Sequence, residues 1–329
     1  MIEPILDSLE YKEMSDETYF SSEYREYVSN SRLALINPDQ DGSDEKYITN
    51  AHISTSSLSL GSAVHELVLQ PDEFVLAPKC DKPTAKLGMM ADYLYPFFKE
   101  CKTVTEEQII EASDHIDYYK GKMDDKKINN VLQKCYNYWH ERVLYEIKAG
   151  NYKEPIFLDN TSWDKCVACV ESINNNKEIQ KWLHPSDTAI SMNEAALFMD
   201  FKYTGEDGKE CIIHFKSKLD NFTIDENNVV LNDLKTTGHY VDQFKDSWEK
   251  YHYYRQGACY SYLLSLYAKK YHNIEKINSL KCNFLLVSTV PTHKSSVFKM
   301  TEPDMQRGWN EFIKLMNLVG NVKSRDSVL

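Results

Sequence analysis

Apolar positions along the chain recur with two different periods, and the change between them divides the sequence. Leu33-Ala34-Leu35-Ile36 follows Ser29-Asn30-Ser31, whose side-chain oxygens suit an N-cap, and Asn37-Pro38 stops the run, which predicts a short helix. Leu60, Val64, Leu67 and Val68 fall at helical spacing within Ser57–Gln70, and Pro71 closes that helix. The helical period persists from about 80 to 184, with a capping box at Thr105 and Gln108, a long amphipathic stretch over Ile128–Ala149 and a further helix over Ser162–Ile173. Beyond Thr188 three β-rich runs follow, Ala189–Tyr203, Glu210–Ile224 and Val229–Thr236, separated by Asp207-Gly208 and by the turn Asp225–Asn228. An aromatic-rich helical zone over Val241–Tyr271, strands over Asn283–Val290 and Ser295–Met300, and a helix over Glu302–Val319 complete the pattern. Residues 1–28 are polar and rich in tyrosine, but Tyr11, Tyr19, Tyr24 and Tyr27 are spaced too irregularly to assign an element. The class is therefore α/β: a central sheet flanked by helices, with a helical insertion or cover over 80–185.

Composition narrows the function classes. The 329 residues carry 38 Lys and Arg against 50 Asp and Glu, a net charge of −12. Such a balance excludes coating of nucleic acid by bulk electrostatics but permits an enzyme with one basic channel. No apolar stretch reaches the 18 or so residues of a spanning helix, and Met1-Ile2-Glu3-Pro4 lacks a basic, then apolar, leader, so a cytoplasmic location away from membranes is expected. Of eight cysteines only Cys166 and Cys169 form a CxxC pair, without the second pair that a metal site requires, which assigns them to a helix core.

The chemistry concentrates in Lys218-Leu219-Asp220 and Asp233-Leu234-Lys235. On a strand Asp233 and Lys235 share one face while Leu234 points into the other. With Asp220 at the end of the adjacent strand, two carboxylates and one ammonium would converge, a setting for a hard divalent cation with oxygen ligands. Such an ion polarises a phosphate and lowers the pKa of bound water, while Lys235 would position or deprotonate that water. Glu194 precedes the apolar Ala195-Ala196-Leu197-Phe198, and Gln256 and Tyr260 lie four apart on one helix face. Arg255 is a candidate for phosphate or for a salt bridge; Lys209, Lys216 and Lys218 form either a basic track or a solvated face. Trp248, Tyr251, Tyr253, Tyr254, Tyr260 and Tyr262 are mostly assigned to the core, with stacking on a separated strand as the alternative.

Taken in order, these residues resemble the PD-(D/E)XK nucleases, in the RecB-like branch that includes exonuclease VIII (RecE-like) and phage recombination exonucleases. The resemblance rests on Ser29-Asn30-Ser31-Arg32-Leu33 with Asn37-Pro38, on Gly61 to Pro71 with His65, on Asp220, on Asp233-Leu234-Lys235-Thr236-Thr237, and on Gln256 with Tyr260. It covers about 25–75 and 190–300. Leu219 stands where the family's name-giving proline would be, and Asp233 is the shorter acid at the D/E position. The resemblance implies one nuclease domain over 1–329 with a restriction-endonuclease-like core: N-terminal helices carrying the histidine over 29–75, the insertion over 80–185 and a catalytic core over 188–320. It also implies a metal bound by His65, Asp220, Asp233 and the Leu234 carbonyl, with Lys235 catalytic, Glu194 holding a metal-bound water or second ion, and Gln256 and Tyr260 in support. The ion would be Mg²⁺, with Mn²⁺ able to substitute. No iron–sulfur cluster is expected, since only Cys282 follows the Gln256–Tyr260 helix. The implied activity is resection of double-stranded DNA ends for recombination or repair, with a structure-specific endonuclease or a non-catalytic DNA-end-binding scaffold as alternatives. A single-strand-annealing partner, a homo-oligomer and a phage origin belong to the same expectation.

Overall fold

The computed structural model describes residues 1–49, 56–119, 123–149, 153–186 and 188–326. In chain order the elements are β1 (Ile2–Lys12), α1 (Asp16–Tyr19), α2 (Asn30–Ile36), α3 (Asp44–Thr49), α4 (Ser56–Leu69), β2 (Phe74–Leu76), α5 (Ala85–Cys101), α6 (Glu106–Ile116), α7 (Asp125–Ala149), β3 (Glu154–Ile156) and α8 (Asn160–Asn175). They continue as α9 (Lys177–Leu183), β4 (Ile190–Thr204), β5 (Glu210–Asp225), β6 (Asn228–Thr237), α10 (Phe244–Lys250), α11 (Tyr253–His272), β7 (Ser279–Ser288), β8 (Ser295–Lys299) and α12 (Glu302–Asp326). They form two compact units, one of Met1–Ile53 with Ser172–Leu329 and the other of Ser54–Glu171. No helix among the described residues is long and apolar enough to cross a membrane.

The first unit is a mixed α/β layer structure around a six-stranded sheet of order β1-β4-β5-β6-β7-β8. Every pair is antiparallel except β6–β7, which run parallel because α10 and α11 carry the chain across between them. The run Ala195–Met199 is continuously apolar because both faces of β4 are covered there: Ala195, Leu197 and Met199 enter the main core, while Ala196 and Phe198 pack with Tyr19 and Tyr24. On the main face Phe201 and Phe215 meet Phe312 of α12 edge to face, with centroids 5.6 and 5.2 Å apart. Helices α11 and α12 approach closely at Gly308, where a Cβ would collide with the Tyr254 carbonyl.

Strand β1 lies in the segment to which the sequence pattern assigned no element. Its pairing with β4 slips between Ile5 and Glu10, and only Ile2 and Leu9 are buried, so period-two alternation never develops. The other strands of this unit fall close to where the pattern places them, with β7 beginning four residues earlier, and Gly208 takes the positive φ of +77° that the first hairpin turn requires. Ser29 caps α2 by accepting from the Arg32 N–H at 3.3 Å.

The second unit packs α5, α6 and α7 around Phe98 and Trp139, whose rings stack at 5.1 Å. Thr105 and Gln108 form the expected capping box of α6. Cys166 and Cys169 are fully buried on α8, and burial pushes their thiols up to about 12 and about 11, as suits core residues. The stretch expected to be entirely helical contains one correction: β3 pairs in parallel with β2 over three residues each. Three residues show no usable periodicity, and only the partner strand defines them.

Candidate active site

The site begins where the sheet forks. Backbone pairing of β5 with β6 runs from the turn up to Asn221–Asn232 and stops. Asp220 and Asp233 are the next residues on their strands, just past the last paired rung. With no β5 backbone partner left there, the Leu234 N–H donates to the Asp220 carboxylate, Oδ2, at 2.7 Å. Asp233 is 1% exposed, yet its two oxygens are engaged: Gln256 of α11 donates its amide to Oδ1 at 2.7 Å, and the Lys235 ammonium pairs with Oδ2. Leu234 is fully buried on the opposite face, as strand alternation requires.

Glu194 on β4 stands across from Asp220. The β4–β5 ladder pairs Asn193 with Asn221 and Ala195 with Leu219, but is interrupted between these rungs. There Glu194 adopts φ +53°, the left-handed region, at a cost of about 1–3 kcal/mol for a non-glycine residue. The carboxylates of Glu194 and Asp220 each bring an oxygen within 4.8 Å of the other. Lys218 partly offsets the charge, pairing with Glu194 at 2.8 Å and with Asp16 of α1.

Burial and like charge set the protonation states. Burial, then the Asp220 charge, push Glu194 up to about 7 against the pull of Lys218. Burial also raises Asp220, opposed by Lys235 and by the Leu234 N–H. Burial alone would lower the Lys235 ammonium, but Asp233 and Asp220 outweigh it and hold its pKa above the ordinary lysine value. Lys235 therefore carries its proton at neutral pH in this charge state. The Tyr253 ring lies 5.5 Å from its ammonium. Tyr260 is buried beside both aspartates; burial first, then neighbouring negative groups, raise its phenol well above the usual range.

Other expected residues are placed differently. Arg255 is 1% exposed and donates to Asn30 Oδ1 at 2.9 Å, Gln40 Oε1 at 3.0 Å and Glu311 Oε1 at 2.7 Å, tying α11 to α2 and α12. The salt bridge replaces the phosphate contact. Nor do the three lysines make a basic track. Lys216 is buried, its ammonium donating to the Tyr19 carbonyl at 2.7 Å and lying 4.4 Å from that ring, and burial lowers it to about 8. Lys218 is spent on carboxylates, and Lys209 pairs with Asp207 at 3.3 Å. Trp248 and Tyr254 are core residues, whereas Tyr251 is exposed. His65 lies half-buried on α4, a helix of the second unit.

Sequence reasoning missed Asp16 and four asparagines that cross the sheet behind the acids. The available signal was local: Asn193-Glu194, Asp220-Asn221 and Asn232-Asp233 each set an asparagine beside an acid on successive strands.

Comparison with known proteins adds distant likenesses. No protein-family model matches the chain, and no curated protein matches it. A crystal structure of a candidate exonuclease from Eubacterium rectale is similar at 11% identity and a TM-score of 0.40, covering 97% of this chain and 88% of that one. A protein from Vibrio cholerae is similar at 13% identity and a TM-score of 0.19, covering 83% of this chain and 57% of that one. At these distances neither likeness carries the functional argument, which rests on the site.

Proposed function

We propose that this protein is a metal-dependent deoxyribonuclease that hydrolyses DNA phosphodiester bonds, acting on duplex ends. The observation that carries the reading is the strand fork, where the half-buried Asp220 and the buried Asp233 meet Lys235 with Gln256 orienting one carboxylate. Buried acids held together without full compensation are costly, and a bound cation relieves that cost. The donor set fits a hard divalent ion, since Glu194 and Asp220 offer close carboxylate oxygens and like-charge repulsion helps drive Glu194 towards about 7. The sequence resemblance adds His65 and the Leu234 carbonyl as ligands and favours Mg²⁺, with Mn²⁺ able to replace it.

When bound, the ion supplies Lewis-acid polarisation of the phosphate and a water of lowered pKa. The chain's own residues do the rest. Lys235, protonated, donates to the attacking water or to the phosphoryl oxygen and offsets charge that grows in the transition state. Gln256 holds Asp233 in one orientation through its amide, and Tyr260 closes the site against solvent beside both acids. Preference for ends comes from the sequence resemblance, as do duplex DNA as substrate and a role in recombination or repair.

The test is digestion of end-labelled linear duplex beside covalently closed circles, with Mg²⁺, Mn²⁺ or EDTA, for wild type, Lys235→Ala and Asp233→Asn. Loss of the linear species alone, dependent on metal and abolished in both variants, is the expected outcome. Cutting of the circle would replace the exonuclease with an endonuclease. No cleavage of any DNA, single strands included, would leave a non-catalytic DNA-binding scaffold.

A further inference from the structure

We propose that a row of four asparagines is the positioning element of this site, setting the spacing of Glu194, Asp220 and Asp233; the inference rests on the metal-site reading above. Asn193, Asn221, Asn232 and Asn283 occupy directly opposed positions on β4, β5, β6 and β7. Their amides bond in one continuous sense: Asn221 donates to Asn193 Oδ1 at 2.7 Å, Asn232 to Asn221 Oδ1 at 2.7 Å, and Asn283 to Asn232 Oδ1 at 3.0 Å. The last three are at most 1% exposed. Three buried carboxamides in a row are an unusual choice for a sheet interior, where apolar side chains pack without any hydrogen-bond requirement.

Their placement explains the choice. Asn221 and Asn232 form the final paired rung of β5 and β6, after which the strands part and the two aspartates follow. Asn193 and Asn221 form the rung beside the interruption at Glu194 and Asp220. At both defects the backbone ladder no longer holds the strands together, and a side-chain bond lies on the adjacent rung. The row also faces away from the acids: Asn232 donates to the Trp182 carbonyl of α9 at 3.2 Å, whereas Asp233 is met by Gln256 of α11. The asparagines therefore touch neither substrate nor metal. They act through the backbone, bracing the rungs next to the β5–β6 fork and the β4–β5 interruption, and a bond chain of one sense couples the four strands there.

The experiment compares wild type with Asn232→Leu, which breaks the row at its centre, and Asn193→Ala, which removes one bond at the exposed edge and carries the test if the first variant does not fold. Ile213→Ala, a core truncation far along β5, is the control for plain destabilisation. Mn²⁺ affinity by calorimetry, the Mn²⁺ dependence of duplex cleavage, and metal-free crystal structures are read for each. Both row variants are expected to weaken Mn²⁺ binding about tenfold or more, shift the cleavage dependence in parallel, and move the Asp220 and Asp233 carboxylates by more than about 0.5 Å. Ile213→Ala should lower the melting temperature and leave all three unchanged. Wild-type affinity and unmoved carboxylates in the row variants would overturn the proposal, as would an equal loss of affinity in Ile213→Ala. If wild type takes up no Mn²⁺, the metal reading fails by itself. The crystallographic spacing then decides the row's role: movement of the carboxylates sustains it and their staying in place ends it.

Discussion

Individual side chains at the site are held by partners that differ in kind. Asp233 depends on an amide from another element, so Gln256→Leu should leave Oδ1 without its donor and lower metal affinity or cleavage rate by about 10–100-fold, measured by titration and by turnover under saturating DNA. An unchanged rate would mean that the Gln256 amide is not needed to orient the carboxylate. Lys216, which sequence alone left between a basic track and a solvated face, makes a separate prediction. Its folded pKa of about 8 lies below the ordinary 10.5, so between these values the unfolded chain binds the extra proton and the fold gains stability as pH rises. The gain is complete above the unfolded pKa and lost as pH falls through about 8. Melting of wild type against Lys216→Met over pH 7.5–10.5 should show wild type gaining relative to the variant across that window, and a constant difference would contradict the burial of this ammonium.

Elements meet through contacts that their own patterns do not specify. Helices α11 and α12 each have an apolar stripe, but their close approach depends on Gly308 lying against the Tyr254 backbone, while Gly257 seats α11 against Cys282 of β7 and Met300. Backbone cannot yield as a flexible side chain does. Gly308→Ala should therefore destabilise by about 1–3 kcal/mol in urea unfolding, although alanine is the better helix former. A stabilising effect would show that helix propensity outweighs packing at this crossing. The same principle separates the strands the sequence displayed from those it concealed. Strands β4 to β7 announce themselves by β-rich runs and turn residues, since their buried positions demand apolar segments. The edge strand β1, with its slipped register and two buried positions, is held by β4 rather than by its own pattern.

At the scale of the whole molecule, a net charge of −12 must be reconciled with the polyanionic substrate proposed above. The lysines near the fork are already paired with acids, so binding should neutralise few phosphates. A plot of log KM for duplex DNA against log salt is expected to have a slope of magnitude below about 4, at roughly 0.9 per phosphate; a slope near 10 would reveal an extensive basic surface. The sequence by itself determined the α/β class, most strand and helix positions and the candidate set Asp220, Asp233, Lys235 and Gln256, because periodicity, capping and the spacing of acids along a strand are local properties. Only the tertiary structure decided that β5 and β6 part at Asn221 and Asn232, that Arg255 and Lys216 are buried rather than facing DNA, and that asparagines on four strands join into one chain of amides. Each of those depends on which side chains from distant segments share a rung or a core, and strand register fixes that only once the sheet has assembled.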